Sequence, residues 1–325
     1  MWQDYYIRDK KENYKMTNPK VGVVIVNYNG ERYTSTCVRS VLKSSYENYL
    51  VIVVDNASSD NSVRLLEEEF NSKIVIIKNE KNLGFSAANN IGIKYALENE
   101  CEYVLLLNND TEIDKDLIKN MVKASIENNN AIISPKIYYY DSPNKIWSAG
   151  GSLNWKKGLS FHYGVNKIDK GQFDVRKEID FATGCCILIH KSVFDKIGFL
   201  AEEYFLYYED TDFCVRAKMA GIKILYEPSA KLWHKVSSTV GGEESLITLY
   251  YSNRNRLYFN NKFNKKNKFY YLSYFFVTRM VKFLIWLIKG QKDKIRIVLK
   301  AIRDYRNNKM GYTEIQKKKV KIPKD

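Results

Sequence analysis

Short apolar runs alternate with longer segments of helical periodicity over the first 135 residues of the chain. The runs are rich in β-branched residues, and three are almost uniformly apolar, which is typical of strands covered on both faces. The pattern predicts strands at Val21–Asn27, Val51–Asp55, Ile74–Ile77 and Tyr103–Asn108. It predicts helices at Glu31–Lys43, Asn61–Phe70, Ser86–Glu98 and Lys115–Asn128. Repeated βα units favour a mostly parallel, Rossmann-like sheet flanked by helices.

The pattern becomes mixed after residue 135. Further strands are predicted at Cys185–His190 and Lys223–Glu227, and a helix at Phe213–Ala220 that ends at Gly221. The acidic cluster Glu209-Asp210-Thr211-Asp212 directly precedes this helix, and Asp212 is expected to cap it. Because a helix N-terminus stabilises the ionised form of an acid, we expect a carboxylate that can accept a proton near neutral pH.

Polar residues follow three of the predicted strands. They are Asn27-Tyr28-Asn29-Gly30, Asp55-Asn56-Ala57-Ser58 and Asn108-Asn109-Asp110-Thr111. Ligands of such sheets bind beyond the carboxyl ends of the strands, so we expect these residues to meet there. The chain has neither the glycine fingerprint of dinucleotide folds nor a P-loop. A bound diphosphate would therefore need a divalent cation, and Asp110 is the candidate ligand for Mg²⁺ or Mn²⁺.

The distribution of charge is informative only for the C-terminal part of the chain. The net charge is +15, yet residues 254–325 hold 21 Lys and Arg against 4 Asp and Glu, so the remainder is nearly neutral. A basic tail suits an anionic surface. Its segment Phe269–Lys289 is aromatic and aliphatic apart from Arg279 and Lys282, which favours a helix lying in a membrane interface. The segment could also pack against the rest of the chain or a second copy in a homodimer.

Composition excludes several other classes. Five scattered cysteines without metal-ligand spacing indicate reduced thiols. Residues 1–18 are polar and mixed in charge, unlike a signal peptide, so we expect a cytoplasmic protein, peripheral on the inner face of the cell membrane. Sequence signatures of helix-turn-helix, RRM and zinc-finger modules are missing, so no specific nucleic-acid partner is expected.

Eight segments, in this order and spacing, resemble glycosyltransferase family 2, enzymes of the GT-A fold, and especially its bacterial rhamnosyltransferase-like members. The resemblance runs from about Val21 to about Gly311. The segments are VVIVNYNG (Val23–Gly30), VVDNASSDNS (Val53–Ser62), NEKNLGFSAANNIGI (Asn79–Ile93), LLLNNDTEI (Leu105–Ile113), WSAGG (Trp147–Gly151), FATGCCILI (Phe181–Ile189), YFLYYEDTDFCVRAKMAG (Tyr204–Gly221) and LWHK (Leu232–Lys235).

The resemblance assigns roles to the matching residues. Asp55 would accept a hydrogen bond from N3–H of uracil or thymine, which favours a UDP- or dTDP-sugar donor, with dTDP-rhamnose as the first candidate. Asp110 matches the last residue of the family's DxD motif, whose first position is Asn108 here, and Asp210 matches the general base. The remaining implied roles are donor contacts by Val26, Tyr28, Asn82, Asn108 and Asn109, acceptor contacts by Trp147 and Glu209, metal or phosphate coordination by His234, and phosphate contact by Arg254.

The implied reaction is a single in-line displacement that inverts the anomeric centre. Asp210 would take the proton of the acceptor hydroxyl, and Mn²⁺ or Mg²⁺ would stabilise the departing nucleotide diphosphate. The acceptor is expected to be a glycan or lipid-linked oligosaccharide of bacterial cell-surface polysaccharide synthesis. The chain then divides into a polar extension (1–18), a GT-A catalytic domain (19–240, with a nucleotide-binding half at 19–135 and an acceptor-binding half at 136–240) and a basic, amphipathic helical region (241–325).

Other interpretations of the same residues stay open. A nucleotidyltransferase shares this sheet and metal chemistry, although such enzymes usually carry a glycine-rich basic loop after the first strand. A catalytically inert nucleotide-sugar-binding protein would use the same pocket. Single residues also have structural interpretations: capping of helices or turns by Asp55, Asp110 and Asp210, core packing by Trp147, structural hydrogen bonding by His234, and a solvated helix face for Arg254.

Overall fold

The computed structural model describes residues 18–236 and 244–315, so nearly all of the polar extension lies outside the described residues. The strands are β1 (Val21–Asn27), β2 (Tyr49–Asp55), β3 (Val75–Lys78), β4 (Tyr103–Asn108), β5 (Thr111–Ile113), β6 (Ile132–Tyr139), β7 (Ser142–Ser148), β8 (Gly151–Asn154), β9 (Leu159–His162), β10 (Lys177–Glu178), β11 (Cys186–His190) and β12 (Ile224–His234). The helices are α1 (Thr34–Leu42), α2 (Ser62–Phe70), α3 (Gly84–Glu98), α4 (Leu117–Ile126), α5 (Lys191–Ile197), α6 (Glu209–Met219), α7 (Leu246–Phe263), α8 (Lys268–Ile288) and α9 (Lys292–Arg306).

One ten-stranded sheet forms the centre of the structure, with the order β10-β12-β6-β11-β4-β1-β2-β3 and with β5 and β7 at its side. Strands β3, β2, β1 and β4 are parallel, as predicted. In register, Asn27 lies opposite Asp55, and Val26 opposite Asn108. The polar residues that follow three strands therefore do meet at one edge of the sheet.

The second half makes the sheet mixed. Strand β11 runs antiparallel to β4 and β6, whereas β6 and β12 are parallel to each other. The predicted strand at Lys223–Glu227 extends to His234, because a register shift between Glu227 and Lys231 lets the strand continue past Pro228. A bulge accommodates a proline that a regular central strand could not. The longer strand carries His234 to the same edge as Asp110.

Alternate residues of the central strands enter two apolar layers. Val23 and Ile25 of β1 belong to one layer, which includes residues of α1 and α4, and Val24 belongs to the other, which includes residues of α3 and α6. Strands covered on both faces explain the uniformly apolar runs in the sequence. All five cysteines are buried and free, as expected for reduced thiols.

Three C-terminal helices, α7, α8 and α9, pack together beside the sheet. The predicted helix at Phe269–Lys289 is confirmed as α8, whose inner face buries Tyr271, Phe275 and Trp286. Its outer face exposes large apolar side chains, at Phe269, Tyr270, Phe276, Val277, Met280, Val281, Leu284, Ile285, Leu287 and Ile288. Among the described residues, the segment Lys265–Ile288 is the one helical stretch long and apolar enough to cross a membrane.

The two cations inside α8 do not interrupt this apolar face. Arg279 donates to Asn253 on α7 at 3.1 Å, and Lys282 donates to Glu244 at 2.9 Å. Both charges therefore point toward protein groups rather than outward. Helix α8 therefore has an apolar outer face, and its polar contacts with Asn253 and Glu244 lie on its inner side.

Candidate active site

A buried amide, that of Asn27, joins the ends of the parallel strands. Its Nδ2 donates to Asp55 Oδ1 at 2.7 Å and to Ser62 Oγ at 2.8 Å, and its Oδ1 accepts from Thr34 Oγ1 at 2.6 Å. Asn27 is completely buried and Asp55 is almost so. Since a buried polar group without a partner is costly, each of these bonds holds the others in place. Asp55 also accepts from the Ser58 backbone N–H at 3.1 Å, which fixes its carboxylate.

The turn after β1 packs tightly onto this network. A Cβ at Gly30 would overlap the side chains of Asn27, Thr34 and Asn109, so only glycine fits there. Asn109 donates to Thr34 Oγ1 at 3.0 Å and is buried, which commits its side chain to the network rather than to the open edge. Tyr28, by contrast, is 39% exposed and lies at the surface beside the strand ends.

A second asparagine network shapes the loop before α3. Asn56 Nδ2 donates to Asn82 Oδ1 at 2.9 Å, and that same oxygen accepts from the Gly84 N–H at 2.9 Å. The loop also touches the opposite side of the site, because the Phe85 N–H donates to the carbonyl oxygen of Phe205 at 2.7 Å. The donor-side loop and the segment before the acidic cluster are thus in direct contact.

Asp110 and His234 form a buried carboxylate–imidazole pair. His234 Nε2 lies 3.1 Å from Asp110 Oδ1, and the Trp147 ring packs edge-on against His234 with centroids 4.8 Å apart. Burial would lower the pKa of His234, but the adjacent Cys185 and Asp110 outweigh burial and raise it to about 10. Trp147 is half-buried and also packs against His162.

The pair fits one side of a divalent-cation site if the cation displaces the proton that His234 shares with Asp110, because only the neutral imidazole has a lone pair to donate. His234 Nδ1 is buried and has no hydrogen-bond partner among the described residues. One carboxylate and one imidazole suit Mn²⁺, and Mg²⁺ is typically held by one or two carboxylates together with substrate phosphates. No cluster of three His, Cys, Asp or Glu side chains in residues 18–236 and 244–315 could enclose a cation alone. Substrate phosphate and water would have to complete the coordination.

The acidic cluster lies within helix α6 and not before it. The predicted start at Phe213 is wrong, since α6 begins at Glu209, and Tyr208 is the residue before its first turn. Asp210 accepts from the N–H groups of Gly184 at 3.0 Å and Thr211 at 2.7 Å. We expected the helix N-terminus to hold the acid in its ionised form. Instead, burial raises the pKa of Asp210, and the backbone hydrogen bonds only oppose this rise.

Glu209 is the more deeply buried of the two acids. Burial, followed by the charge of Asp210, raises the pKa of Glu209 well above its ordinary value, and its Oε2 has no hydrogen-bond partner among the described residues. The raised pKa favours the protonated form of Glu209, which can donate a hydrogen bond. In Asp210 the backbone N–H groups of Gly184 and Thr211 oppose the effect of burial and favour the ionised form, which can accept a proton.

The segment before α6 has an unusual backbone that α7 holds in place. Phe205, Tyr207 and Tyr208 all have positive φ angles, of 65°, 68° and 77°. Such conformations cost on the order of 1 kcal/mol or more per residue without glycine. Asn255 on α7 donates through Nδ2 to the carbonyl oxygens of Leu206 at 2.8 Å and of Tyr204 and Tyr207 at 2.9 Å. This amide clamps the strained loop.

Two acidic or basic residues have roles different from those expected. Asp212 does not cap α6: its side chain is fully buried and bonds to Arg216 at 2.6 Å and Lys262 at 2.8 Å, which ties α6 to α7. Arg254, expected to contact phosphate, is also fully buried. Its guanidinium donates to the carbonyl oxygens of Gly311 and Tyr204, so it supports the C-terminal fold instead.

Sequence comparison identifies the family. Residues 22–198 match the model of "Glycosyl transferase family 2". The chain belongs to glycosyltransferase family 2. It is 31% identical over 250 residues to the low-salt glycan biosynthesis hexosyltransferase Agl10 of Haloferax volcanii, covering 76% of this chain and 77% of that protein. It is 29% identical over 220 residues to the dTDP-rhamnosyl transferase RfbF of Shigella flexneri, covering 67% and 70%.

Solved structures share the fold of this glycosyltransferase. A mannosyltransferase of Pyrobaculum calidifontis in complex with GDP-Man and Mn²⁺ has a TM-score of 0.57 at 12% identity, covering 90% of this chain and 88% of that one. GalNAc-T7 with UDP, GalNAc and Mn²⁺ has a TM-score of 0.56 at 18% identity, covering 73% and 47%. At these identities the likeness establishes the GT-A fold.

The sequence pattern indicated no individual role for two residues that position the candidate site of this glycosyltransferase. Asn27 was placed at the strand end, but its role as the amide that joins the strand ends was not predicted. The role of Asn255 could not be predicted, since it acts on carbonyl groups 48 to 51 residues earlier in the chain. Only the packing of α7 against the loop reveals its function.

We expect Asn255→Ala to lower turnover by at least about tenfold, because the carbonyl groups of Leu206 and Tyr207 lose this donor and each unsatisfied group costs about 1–3 kcal/mol. The Tyr204 carbonyl keeps the bond from Arg254. Nucleotide binding, measured by calorimetric titration, should change less than turnover. Asn261→Ala, at an exposed position of the same helix, is the matched control. Wild-type turnover in Asn255→Ala would show that the clamp is dispensable.

Proposed function

We propose that this glycosyltransferase moves a sugar from a UDP- or dTDP-sugar onto an acceptor hydroxyl with inversion, and that Asp210 is the general base. The observation that carries the proposal is a series of hydrogen bonds that connects Asp210 with the end of β4. Gly184 donates to Asp210, and the next residue, Cys185, accepts from the Asn108 N–H at 2.9 Å. Asp210 is therefore joined through two consecutive residues to the strand end that bears Asp110.

The donor side is proposed to recognise the nucleotide through Asp55. A carboxylate offers about four acceptor positions, of which Asn27 and Ser58 occupy two. The remaining capacity can accept the N3–H of uracil or thymine, with Tyr28 at the surface beside the strand ends and Val26 and Asn82 alongside. A dTDP-sugar is favoured by the 29% identity to a dTDP-rhamnosyl transferase, and dTDP-rhamnose is the first donor to test.

The residues Asp110 and His234 would hold a divalent cation, Mn²⁺ or Mg²⁺. When bound, such a cation would offset the charge of the leaving diphosphate. Asn108 replaces the first aspartate of the family motif and provides no second charged ligand. Trp147 packs against His234 and is proposed to contact the acceptor. Glu209 would contact and orient the acceptor.

The acceptor is proposed to be a lipid-linked saccharide at the cytoplasmic face of a membrane. The apolar outer face of α8 supports this, because a face of that size on a water-soluble protein marks an interaction surface. Exposed lysines at both helix ends, Lys265, Lys266, Lys268, Lys289 and Lys292, suit anionic lipid. Lys262 and Lys294, two other cations of the basic tail, pair with Asp212 and Glu244 instead of facing outward. A homodimer that covers α8 is the alternative outcome of the membrane test below.

The functional division of the chain also stays a proposal. The halves 19–135 and 136–240 would bind nucleotide and acceptor, although strands from both belong to one sheet. A nucleotidyltransferase is disfavoured by the family match. An inert sugar-nucleotide sensor is disfavoured by the adjacent acids Glu209 and Asp210, because a sensor needs no base.

We expect Asp210→Asn to abolish transfer and keep nucleotide binding, because the amide fills the same space and cannot accept a proton. The donor is first identified by incubating the purified protein with a panel of nucleotide sugars and Mn²⁺ and following release of nucleotide diphosphate. General-base catalysis contributes typically 10²–10⁴-fold, so retention of more than about a tenth of the rate would exclude Asp210 as the base.

A matched variant and a pH profile sharpen the test. Asp195→Asn removes an exposed carboxylate of α5 and should leave the rate unchanged. In the wild type, the base must be ionised and its pKa is raised by burial, so the rate should fall as pH decreases through a value above that of an ordinary aspartate.

We expect EDTA to stop transfer, and Asp110→Ala to weaken binding of UDP or dTDP in the presence of Mn²⁺. The reason is that the diphosphate would lose the cation that joins it to Asp110 and His234. Calorimetric titrations with and without Mn²⁺ give the measurement, and Asp114→Ala, at a neighbouring residue outside the pair, is the control. Full activity in chelator would remove the cation from the reaction.

We expect Val277→Gln, Val281→Gln and Leu284→Gln together to reduce sedimentation with anionic phosphatidylglycerol vesicles by at least about tenfold, because burial of such side chains drives interfacial binding. These positions are 63%, 53% and 60% exposed, so folding should not depend on them. Truncation before Phe269 is a poorer test, because it also removes α9, which packs on α7.

The control for that triple variant replaces three exposed apolar residues elsewhere, Ile168, Val175 and Met219, by Gln. Activity on a soluble acceptor mimic should be kept in both proteins. Unchanged vesicle binding by the α8 variant would rule out α8 as the anchor. A wild-type dimer that the same variant dissociates would assign the face to a second copy of the chain.

A further inference from the structure

Two arginines beside the proposed base, the buried Arg256 and the half-buried Arg279, lack a counter-charge. Arg256 on α7 is 6% exposed and donates through Nε to the carbonyl oxygen of Gly158 and through Nη2 to that of Lys157. Arg279 on α8 donates through Nη1 to Asn253. Within residues 18–236 and 244–315, neither guanidinium forms an ion pair with a carboxylate. Each charge therefore has only neutral partners.

Their hydrogen-bonding capacity is also incompletely used. The Nη1 of Arg256 and the Nη2 of Arg279 donate to no described residue, and the Nε of Arg279 is buried without a partner. A guanidinium presents five N–H donors in a planar fork suited to phosphate. The unused donors are those that a phosphoryl group would accept from.

The two guanidiniums share one location next to the acidic cluster. Both pack against the ring of Phe275, with their central carbons 5.2 and 5.9 Å from its centroid. Burial raises the pKa of Tyr208 to about 12, and the charges of Arg256, Asp210 and Arg279 also act on this phenol. Tyr208 immediately precedes Glu209 and Asp210 in the chain. The arginine pair and the proposed base therefore border the same phenol.

An unpaired buried cation is costly, and two that repel each other cost more. The cost is offset when an anion binds between them. Resting on the proposed transferase function, we propose that Arg256 and Arg279 bind the phosphate or diphosphate ester through which the acceptor saccharide is attached to its lipid. The pair then selects acceptors by this ester and not by the sugar alone.

The order of groups in the structure matches the order of groups in such an acceptor. Asp210 receives the hydroxyl, the arginine pair lies next to it, and the apolar outer face of α8 starts on the far side of the helix that carries Arg279. A lipid-linked saccharide presents hydroxyl, phosphate and hydrocarbon in the same order. Exposed Lys156 and Lys157, near the rings of Tyr270 and Tyr274, add positive charge on the approach. The donor diphosphate is assigned to the Asp110–His234 pair instead.

The test measures binding of the full-length protein to three probes. They are zwitterionic phosphatidylcholine vesicles with a small fraction of farnesyl phosphate, vesicles with the same charge supplied by phosphatidylglycerol, and UDP or dTDP with Mn²⁺. The variants are Arg256→Gln and Arg279→Gln, with Arg303→Gln, whose side chain is 69% exposed on α9, as the matched control. Arg279→Lys keeps the charge and loses the fork, and thermal melting reports folding of every variant.

We expect both Gln variants to lose about tenfold or more of their affinity for farnesyl phosphate vesicles, since charge-assisted hydrogen bonds are the strong ones. Binding to phosphatidylglycerol vesicles and to nucleotide should change little, and Arg279→Lys should recover part of the loss. Equal loss on both vesicle types would assign the arginines to ordinary headgroups and overturn the proposal. Preferential loss of nucleotide binding would assign them to the donor. Failure of the wild type to bind nucleotide would contradict the proposed function and leave the phosphate result to stand separately.

Discussion

The arrangement of the strand ends depends on one constraint: the polar groups buried there need hydrogen-bond partners. Three parallel strands end in asparagine or aspartate. The Asn27 amide donates to Asp55 and Ser62 and accepts from Thr34, so it joins β1 to β2, α2 and α1. In a low-dielectric environment such a network is rigid when complete and costly when broken. Gly30 follows from the same constraint, because no side chain can occupy the space that the network fills.

Around the acidic cluster, by contrast, the fold keeps strained backbone conformations and poorly solvated acids. Three residues before α6 hold left-handed backbone angles, and two acids lie next to each other in its first turn with raised pKa values. A base that is harder to ionise is also a stronger proton acceptor. The C-terminal helices make this arrangement stable, since Asn255 holds the loop and Lys262 neutralises the neighbouring Asp212. These helices therefore support the candidate site as much as the sheet does.

Local pattern was enough to predict the parallel half of the sheet, because uniformly apolar runs such as Val51–Val54 have few alternatives to a strand covered on both faces. It was also enough to bring Asp55 and Asp110 to one edge. The local pattern failed where contacts with distant parts of the chain determine the structure. The predicted strand ended at Glu227, but a bulge continues it to His234. Arg254 has the side chain of a phosphate ligand but is fully buried. The role of Asn255 depends on a fold that returns α7 to a loop about 50 residues earlier.

The membrane contact proposed for the apolar outer face of α8 would change what concentration means for this enzyme. With the helix on a bilayer, the enzyme and the proposed lipid-linked acceptor would diffuse in the same plane, and the frequency of their encounters would follow the number of acceptor molecules per unit area. The volume of the surrounding solution would then matter for the nucleotide sugar alone. Membrane growth that spreads a fixed pool of acceptor over more area would slow glycan synthesis without any change in the enzyme.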